Sequence, residues 1–368
     1  MSGSHILVIN AGSSSIKTAL FDGNLAEVLR IEATGIGGTG ALKIAATAHA
    51  TNLPDNATAL AAIFDALQQQ GIAITALRAV AHRVVHGGTT LTAPCRITPQ
   101  VRQAIADCVP LAPLHNPHHL AAIDAVETLA PDLPQCASFD TAFHATTPDI
   151  ARRYALPDRP DLTGLQRYGF HGTSYAALVR VLPQQSGALP KRLLACHLGN
   201  GASLCAILDG QSVATTMGYS PLSGLTMGTR VGEIDAGAVL RLVRQLGLEK
   251  TETLLNHHSG LLGLSDLSSD MRSLENSNNP KARFAIDHFC YWAGRQAGSM
   301  IAAMGGLDAV AFTGGIGENS SHIRNAILDK LSWMGNFPSY TIAAQEEIQI
   351  AREASNVLTT DQKGQNDA

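Results

Sequence analysis

The chain has 368 residues, about two domains' worth at roughly 150 residues each. A hydrophobic content of 45% supports a large buried core and excludes wholesale disorder. Lys and Arg number 26 against 30 Asp and Glu, a formal net charge of −4 with no basic block, so a polyanion-binding role has no electrostatic support and a small-molecule enzyme fits better.

No apolar run approaches the roughly 20 residues that span a bilayer, and the opening lacks the basic and apolar regions of a signal peptide. The six cysteines, Cys95, Cys108, Cys136, Cys196, Cys205 and Cys290, are scattered without a C-x-x-C pair. They read as structural thiols in a reducing compartment rather than a disulfide framework. The expectation is a soluble, cytoplasmic protein with no nucleic-acid or membrane partner.

In chain order, residues 5–21 read as strand, Gly/Ser turn at 10–15, and strand. A helix is predicted over 58–70, with Leu60, Ile63, Phe64 and Leu67 on one face and a stop at Gly71. An apolar strand at 76–81 runs into the sequence HRVVHGG. Thr98-Pro99 and Asn116-Pro117 each read as an N-cap followed by proline at the first helical position. Residues 193–208 then repeat the opening plan, with a small polar turn at 199–203. The copies lie about 185 residues apart, half the chain, which points to a duplicated domain rather than a solenoid. Helical spacing resumes over 234–246 and 281–304, the latter with Ile286, Phe289, Ala293, Ala297, Met300 and Met304 on one face and ended by Gly305-Gly306. A strand at 309–312 enters a third Gly-rich turn, 314–319, and the polar tail after Ala354 is expected to fray. Alternating strands and helices argue for an α/β chain in two lobes.

Small residues in the turns at 10–15 and 199–203 let backbone N–H groups approach an anion, with Ser and Asn donors added and Lys17 beside the first. P-loop spacing is absent. Taken alone, either turn is better read as a tight hairpin. Two at matching places in the half-chains, with the third at 314–319, make cradles suited to a triphosphate bearing a nucleoside. Arg83 at a strand end, and Arg230 in a Gly/Thr turn, are each a bidentate anion clamp or a surface ion pair. His115, His118 and His119 suggest a metal, but one precedes a helix and two sit in its first turn, so their rings are not expected to converge. Asp140 is either a reactive acid or a helix N-cap, and His171 either a site residue or a turn donor. Glu346 and Glu347 on a late helix read as solvated charge.

In order and spacing, INAGSSSIK, AHRVVHGG, APLHNP, SFDTAFH, YGFHGTS, CHLGNGAS, GLTMGTR, LSSDMR and FTGGIGEN resemble the acetate kinase family, over about residues 6–325 and more weakly beyond. The resemblance implies two duplicated actin-like ATPase lobes, ribonuclease H-like sheets with flanking helices, around an interlobe cleft. The lobes would be 1–140, rejoined by a helix at 344–368, and 141–343, the nucleotide-binding and dimerisation lobe. It implies Mg²⁺, with Mn²⁺ as an alternative, held by Asn10 and Glu346. It places ATP or ADP on Ser13, Ser15, Lys17, His197, Leu198, Gly199, Asn200, Gly201, Asp270, Met271, Arg272, Gly315, Ile316, Gly317, Glu318 and Asn319. Arg83 would bind the substrate carboxylate, Asp140 would be the essential acid, and His171 and Arg230 would stabilise the transferring phosphoryl group.

The implied reaction is reversible, in-line phosphoryl transfer from ATP to acetate, giving acetyl phosphate and ADP, by a homodimer to which the helix at 281–304 could contribute. Acetate is already an anion at pH 7, so the obstacle is anion repulsion, which Arg83, Arg230, Lys17 and Mg²⁺ would offset. Asp140 is therefore expected to orient Arg or Mg²⁺-bound water. Val85, Leu114, Phe170 and Pro221 would line the acyl methyl pocket, favouring acetate over propionate and butyrate. The alternative is a propionate kinase on the same scaffold. A chaperone-type ATPase would need a peptide-binding region for which 368 residues leave no room, and a non-catalytic homologue has support only from the short 331–345 segment, against which Arg83, Asp140, His171 and Arg230 are all present. The departures from the family pattern are Val231 and Glu233 within 228–235, Tyr175 where histidine is common, and that 331–345 segment, shorter than the family's, where a strand pair is usual.

Overall fold

The computed structural model describes residues 3–366, with side chains through Asp361; Asp367 and Ala368 of the polar tail lie outside the described residues. Two compact units divide the chain, residues 1–142 with 345–368, and residues 143–344.

In the first unit, β1 (His5–Ala11), β2 (Ser15–Phe21), β3 (Glu27–Thr34), β4 (Gly38–Ile44) and β5 (Thr47–Leu53) form an antiparallel run. Helix α1 (Asn56–Gln69) is capped by the Asp55 carboxylate and buries Leu60, Ile63, Phe64 and Leu67, the face its spacing predicts. Strand β6 (Leu77–Val84) lies parallel beside β1, followed by the two-residue β7 (Cys95–Arg96). Helix α2 (Pro99–Asp107) starts on the Thr98 cap, as its sequence suggests. For α3 (Asn116–Leu129) the cap reading is corrected: Asn116 is already helical and His115 precedes it. The Asn116 side chain is used elsewhere, accepting from the His86 N–H (3.2 Å) and donating to the His86 carbonyl (3.0 Å). Strand β8 (Gln135–Phe139) completes the parallel part of the sheet beside β6.

The second unit opens with three helices, α4 (Asp149–Arg152), α5 (Gly172–Val181) and α6 (Pro183–Ser186). An antiparallel meander follows, β9 (Arg192–Leu198), β10 (Ala202–Leu208) and β11 (Gln211–Thr215). Next come α7 (Ala236–Leu246), α8 (Leu248–His257), α9 (Gly260–Ser265), α10 (Met271–Glu275) and the long α11 (Pro280–Met304). The apolar positions expected on α11 are buried, and Gly305 caps it in the left-handed conformation. Strand β12 (Ala309–Thr313) joins β9 in parallel. The third Gly-rich turn is instead a short helix, α12 (Gly314–Asn319), followed by α13 (Ser321–Asp329). The short 331–345 segment still supplies an edge strand, β13 (Ser339–Thr341), parallel to β12.

The last helix, α14 (Glu346–Asn366), belongs to the first unit and continues past Ala354, where fraying was expected to begin. Its apolar residues, Ile350, Ala351, Ala354 and Leu358, recur at helical spacing and pack on Ile6, Val8, Phe21 and Ala79. The alternate residues of β1, Leu7 and Ile9, face the other cluster beneath α1 and α3. A strand covered on both faces explains the unbroken apolar run at the N-terminus.

The order β3-β2-β1-β6-β8 in one sheet and β11-β10-β9-β12-β13 in the other is the same topology, two antiparallel pairings followed by two parallel ones. The repeated turn motifs therefore occupy equivalent corners, β1–β2 and β9–β10. All six cysteines are free thiols, five of them buried. No helix among the described residues is long and apolar enough to cross a membrane.

Candidate active site

In the first unit, strand register assembles an anion-binding arginine. Asn10 pairs with Lys17 across β1 and β2, so the two side chains share a face. Ile9 pairs with His82, which brings Asn10 level with Arg83. Asp140 follows the end of β8, its N–H donating to the Val84 carbonyl at 3.0 Å, and is only 2% exposed. Arg83 donates through Nε to Asp140 Oδ1 (3.0 Å), through Nη2 to Asp140 Oδ2 (2.5 Å) and through Nη1 to Asn10 Oδ1 (3.2 Å). Of the five guanidinium N–H groups, these bonds use three. One N–H on Nη1 and one on Nη2 remain as donors for a carboxylate. Burial works against the Arg83 charge, but Asp140 outweighs it and holds the guanidinium above its ordinary pKa.

Glu346, partly buried, begins α14. Burial raises its pKa; Arg83 and Lys17 pull it down, while Asp140 and Glu347 add to the rise. A carboxylate held this way gains from a nearby cation. Asn10 Oδ1 keeps a lone pair beyond its Arg83 bond. Among the described residues no group of three or more His, Cys, Asp or Glu side chains is placed to hold a metal. A short set of hard oxygen donors fits a divalent cation that retains most of its waters. Ser13 is exposed and Ser15 partly buried in the β1–β2 turn, which the Gly12 N–H closes on the Ser15 carbonyl at 2.7 Å. Of the apolar wall residues here, Val85 is packed at 4% exposure, whereas Leu114 is 50% exposed.

In the second unit, His171 sits at the start of α5 with φ 59°, a left-handed conformation unusual for a non-glycine residue and costly outside constrained sites. Its Nδ1 meets Ser203 Oγ at 2.9 Å, and its ring stacks on His197 with centroids 4.1 Å apart. Ser174 Oγ holds His197 Nδ1 at 2.9 Å, and Tyr175, fully buried, bonds Ser203 Oγ at 2.5 Å. Tyr175 is thus a support for His171. Gly201 matters through its missing side chain: a Cβ there would lie 2.6 Å from Arg230 Nη2 and 3.1 Å from His171 Nε2. Those two side chains therefore converge on the β9–β10 turn. Arg230 Nη1 donates to the Pro221 carbonyl at 2.6 Å, so Pro221 holds the arginine by its backbone. Phe170 is 1% exposed, and its carbonyl is met by His144 Nε2 at 2.9 Å.

The expected nucleotide residues gather around the same turn. A Cβ on Gly199 would come within 3.8 Å of Gly315 N, and one on Gly228 would strike Asn200 Oδ1 at 2.0 Å and approach the Ser269 carbonyl at 3.2 Å. His197 and Leu198 end β9, Asn200 is exposed, and Asp270 caps α10 ahead of buried Met271 and exposed Arg272. Within α12, Gly315 and Asn319 are exposed and Gly317 is buried. Glu318 has a structural duty as well, accepting from the Gly314 and Ala344 N–H groups at 3.1 and 3.0 Å. Sequence reasoning read Ser203 as a donor of the 199–203 turn and Pro221 as an acyl-pocket wall, and missed Ser174 and the supporting roles all three play toward His171, His197 and Arg230, because each role depends on a partner set by the fold.

The sequence profile of the Acetokinase family matches residues 5–362. The chain belongs to the acetokinase family. The match runs well past residue 325, where the motif resemblance was expected to weaken, and includes most of α14. The chain is similar to an acetate kinase of Nitrobacter hamburgensis, 41% identical over 388 aligned residues covering 96% of each chain. Its fold is similar to that of Porphyromonas gingivalis acetate kinase, with TM-score 0.89 and 33% identity over 97% of this chain and 100% of that one. A propionate kinase from Francisella tularensis subsp. tularensis SCHU S4 matches as well, with TM-score 0.90 and 33% identity over 95% and 98%. The repeated five-stranded cores are the duplicated actin-like ATPase lobes of this α/β fold. This acetokinase is an ATP-dependent phosphotransferase whose acceptor is a carboxyl group.

Proposed function

We propose that the chain is an acetate kinase, transferring the terminal phosphoryl group of ATP reversibly and directly in line to acetate, with acetyl phosphate and ADP as products. The observation that carries this reading is Arg83. Three of its N–H groups are committed to Asp140 and Asn10, which fixes the guanidinium and leaves one N–H on each terminal nitrogen to receive a carboxylate.

Acetate needs no base, so the chemistry is charge management. Arg83 binds and orients the carboxylate, and Asp140 fixes the plane of Arg83. Arg230 and His171, both aimed at the β9–β10 turn, stabilise charge on the phosphoryl oxygens. The Ser203 bond fixes the His171 ring. Lys17 meets the nucleotide phosphates, and the turns at 199–201, 270–272 and 315–319 cradle the nucleotide. Asn10 and Glu346 would hold Mg²⁺, or Mn²⁺, which supplies charge neutralisation on the phosphate oxygens. Val85 restricts the space for the acyl group, which favours acetate; propionate is the alternative acceptor on this scaffold. A cytoplasmic homodimer is part of the proposal, supported by exposed apolar side chains in the second unit, Leu240, Leu246 and Leu248 on α7 and α8 and Phe284 and Tyr291 on α11.

The test is incubation with Mg-ATP and acetate, propionate or butyrate, trapping acyl phosphate with hydroxylamine. The expected order is acetate, then propionate, with butyrate nearly inactive. No acyl phosphate from any acid, with ATP still bound, overturns the reading.

A further inference from the structure

We infer that Gln296 and Glu233 are positioning residues that set Arg230, an inference that rests on the phosphotransfer reading of that arginine. Arg230 lies in a ten-residue loop, residues 224–233, whose two ends meet where the Glu233 N–H donates to the Gly224 carbonyl at 2.9 Å. The Gln296 amide, at the middle of α11, reaches both ends at once. Its Nε2 donates to the Gly224 carbonyl (3.0 Å) and to Glu233 Oε2 (3.1 Å). Eight residues earlier on the same helix face, His288 Nδ1 meets Thr226 Oγ1 at 3.1 Å.

The middle of the loop is fixed independently by backbone bonds. Ser259 N–H donates to the Thr229 carbonyl (2.9 Å), and Val231 N–H to the Leu255 carbonyl (3.0 Å). Its ends are joined by the backbone bond from the Glu233 N–H to the Gly224 carbonyl (2.9 Å), to which Gln296 adds a second donor on the same carbonyl. A cavity of about 320 Å³ lies alongside the loop, lined by Gly224, Thr226, Val231, Glu233, Ser259 and His288 among others. The hydrogen bonds from α11 therefore act where the loop closes, and set how Arg230 leaves it.

The experiment compares Gln296→Ala, Glu233→Ala, Glu233→Gln and the double alanine variant in the full chain, reading kcat and both KM values alongside thermal melts. Gln296→Ala should lower kcat about tenfold, with KM for acetate and ATP within threefold and Tm little changed. Glu233→Gln keeps an acceptor oxygen and should stay within threefold of wild type, whereas Glu233→Ala should resemble Gln296→Ala. The double variant should fall no further than either single one. A kcat for Gln296→Ala within twofold of wild type, or additive losses in the double variant, overturns the inference. Inactive wild type would instead refute the phosphotransfer reading, and the two failures are thereby distinguished.

Discussion

Replacing Asp140 with Asn tests whether that carboxylate orients Arg83 or works as an acid–base group. Asp140 is buried and gives Arg83 two charge-assisted bonds, each worth about 1.5–3 kcal/mol. Asn keeps the shape and one neutral acceptor, so roughly one such bond and the buried charge are lost. The Arg83 side chain is 22% exposed, and water recovers part of that loss. A net cost of about 3 kcal/mol in holding the arginine corresponds to about a hundredfold drop in kcat/KM for acetate. The loss should include a raised KM for acetate, because the N–H groups that receive the carboxylate are no longer fixed, while KM for ATP stays within threefold. Initial rates by the hydroxylamine assay, with acetate varied at saturating Mg-ATP, measure both. A kcat/KM within threefold of wild type, or a fall in kcat with the acetate KM unchanged, would refute the orienting role. Urea unfolding serves as the control, since removing one partner of a buried pair also destabilises.

Gly201→Ala places a Cβ 2.6 Å from Arg230 Nη2; the guanidinium end can move, so Tm should hold while kcat falls about a hundredfold, and an unchanged kcat would show that Arg230 does not work at this turn. Val85→Ala removes buried apolar volume, with an expected cost of about 1–2.5 kcal/mol in urea unfolding. It should also raise the propionate-to-acetate ratio of kcat/KM by up to about tenfold; an unchanged ratio removes Val85 from the acyl pocket. Glu353 on α14 has its pKa raised above the ordinary 4.5 by burial, with bonds to Ser138 and Gln349 opposing. Its native form favours the proton, so its contribution to stability is present below pH 4.5 and is lost as pH rises through the folded value. The urea midpoint of Glu353→Gln, relative to wild type, should therefore increase from pH 4.5 to pH 7, and a constant difference would contradict the shift.

The parts of this molecule legible in its sequence are those whose cause is local. The turns at Asn10 and Gly199, the Thr98 cap and the apolar stripe of α11 each follow from residues within one or two helical turns. The duplication was legible because both copies of the turn survive in the same half-chain position. Convergence was not legible from the bare residues: Arg83, Asp140 and Asn10 meet because β1, β6 and β8 pair in one register, a property of three distant segments. The stacking of His171 on His197 likewise depends on α5 meeting β9, and Gln296 looks like any polar residue on a helix. Resemblance to a family supplied most of those assignments in place of physics.

Residues 314–319 show why composition misled where it did. Three glycines in six residues carry a helix penalty of about 1 kcal/mol each, so a turn is the natural reading. The helix forms because side chains satisfy both of its ends. Glu318 accepts from the Gly314 N–H at the start, and Arg324 Nη1 donates to the Gly317 and Glu318 carbonyls at the finish, both at 2.9 Å. Glycine here buys close approach: Gly314 has φ +80°, and a Cβ on it would lie 2.8 Å from the Leu198 carbonyl oxygen at the end of β9. The short helix is thereby pressed against the end of β9, and the segment loses intrinsic helix stability in exchange for that close backbone approach.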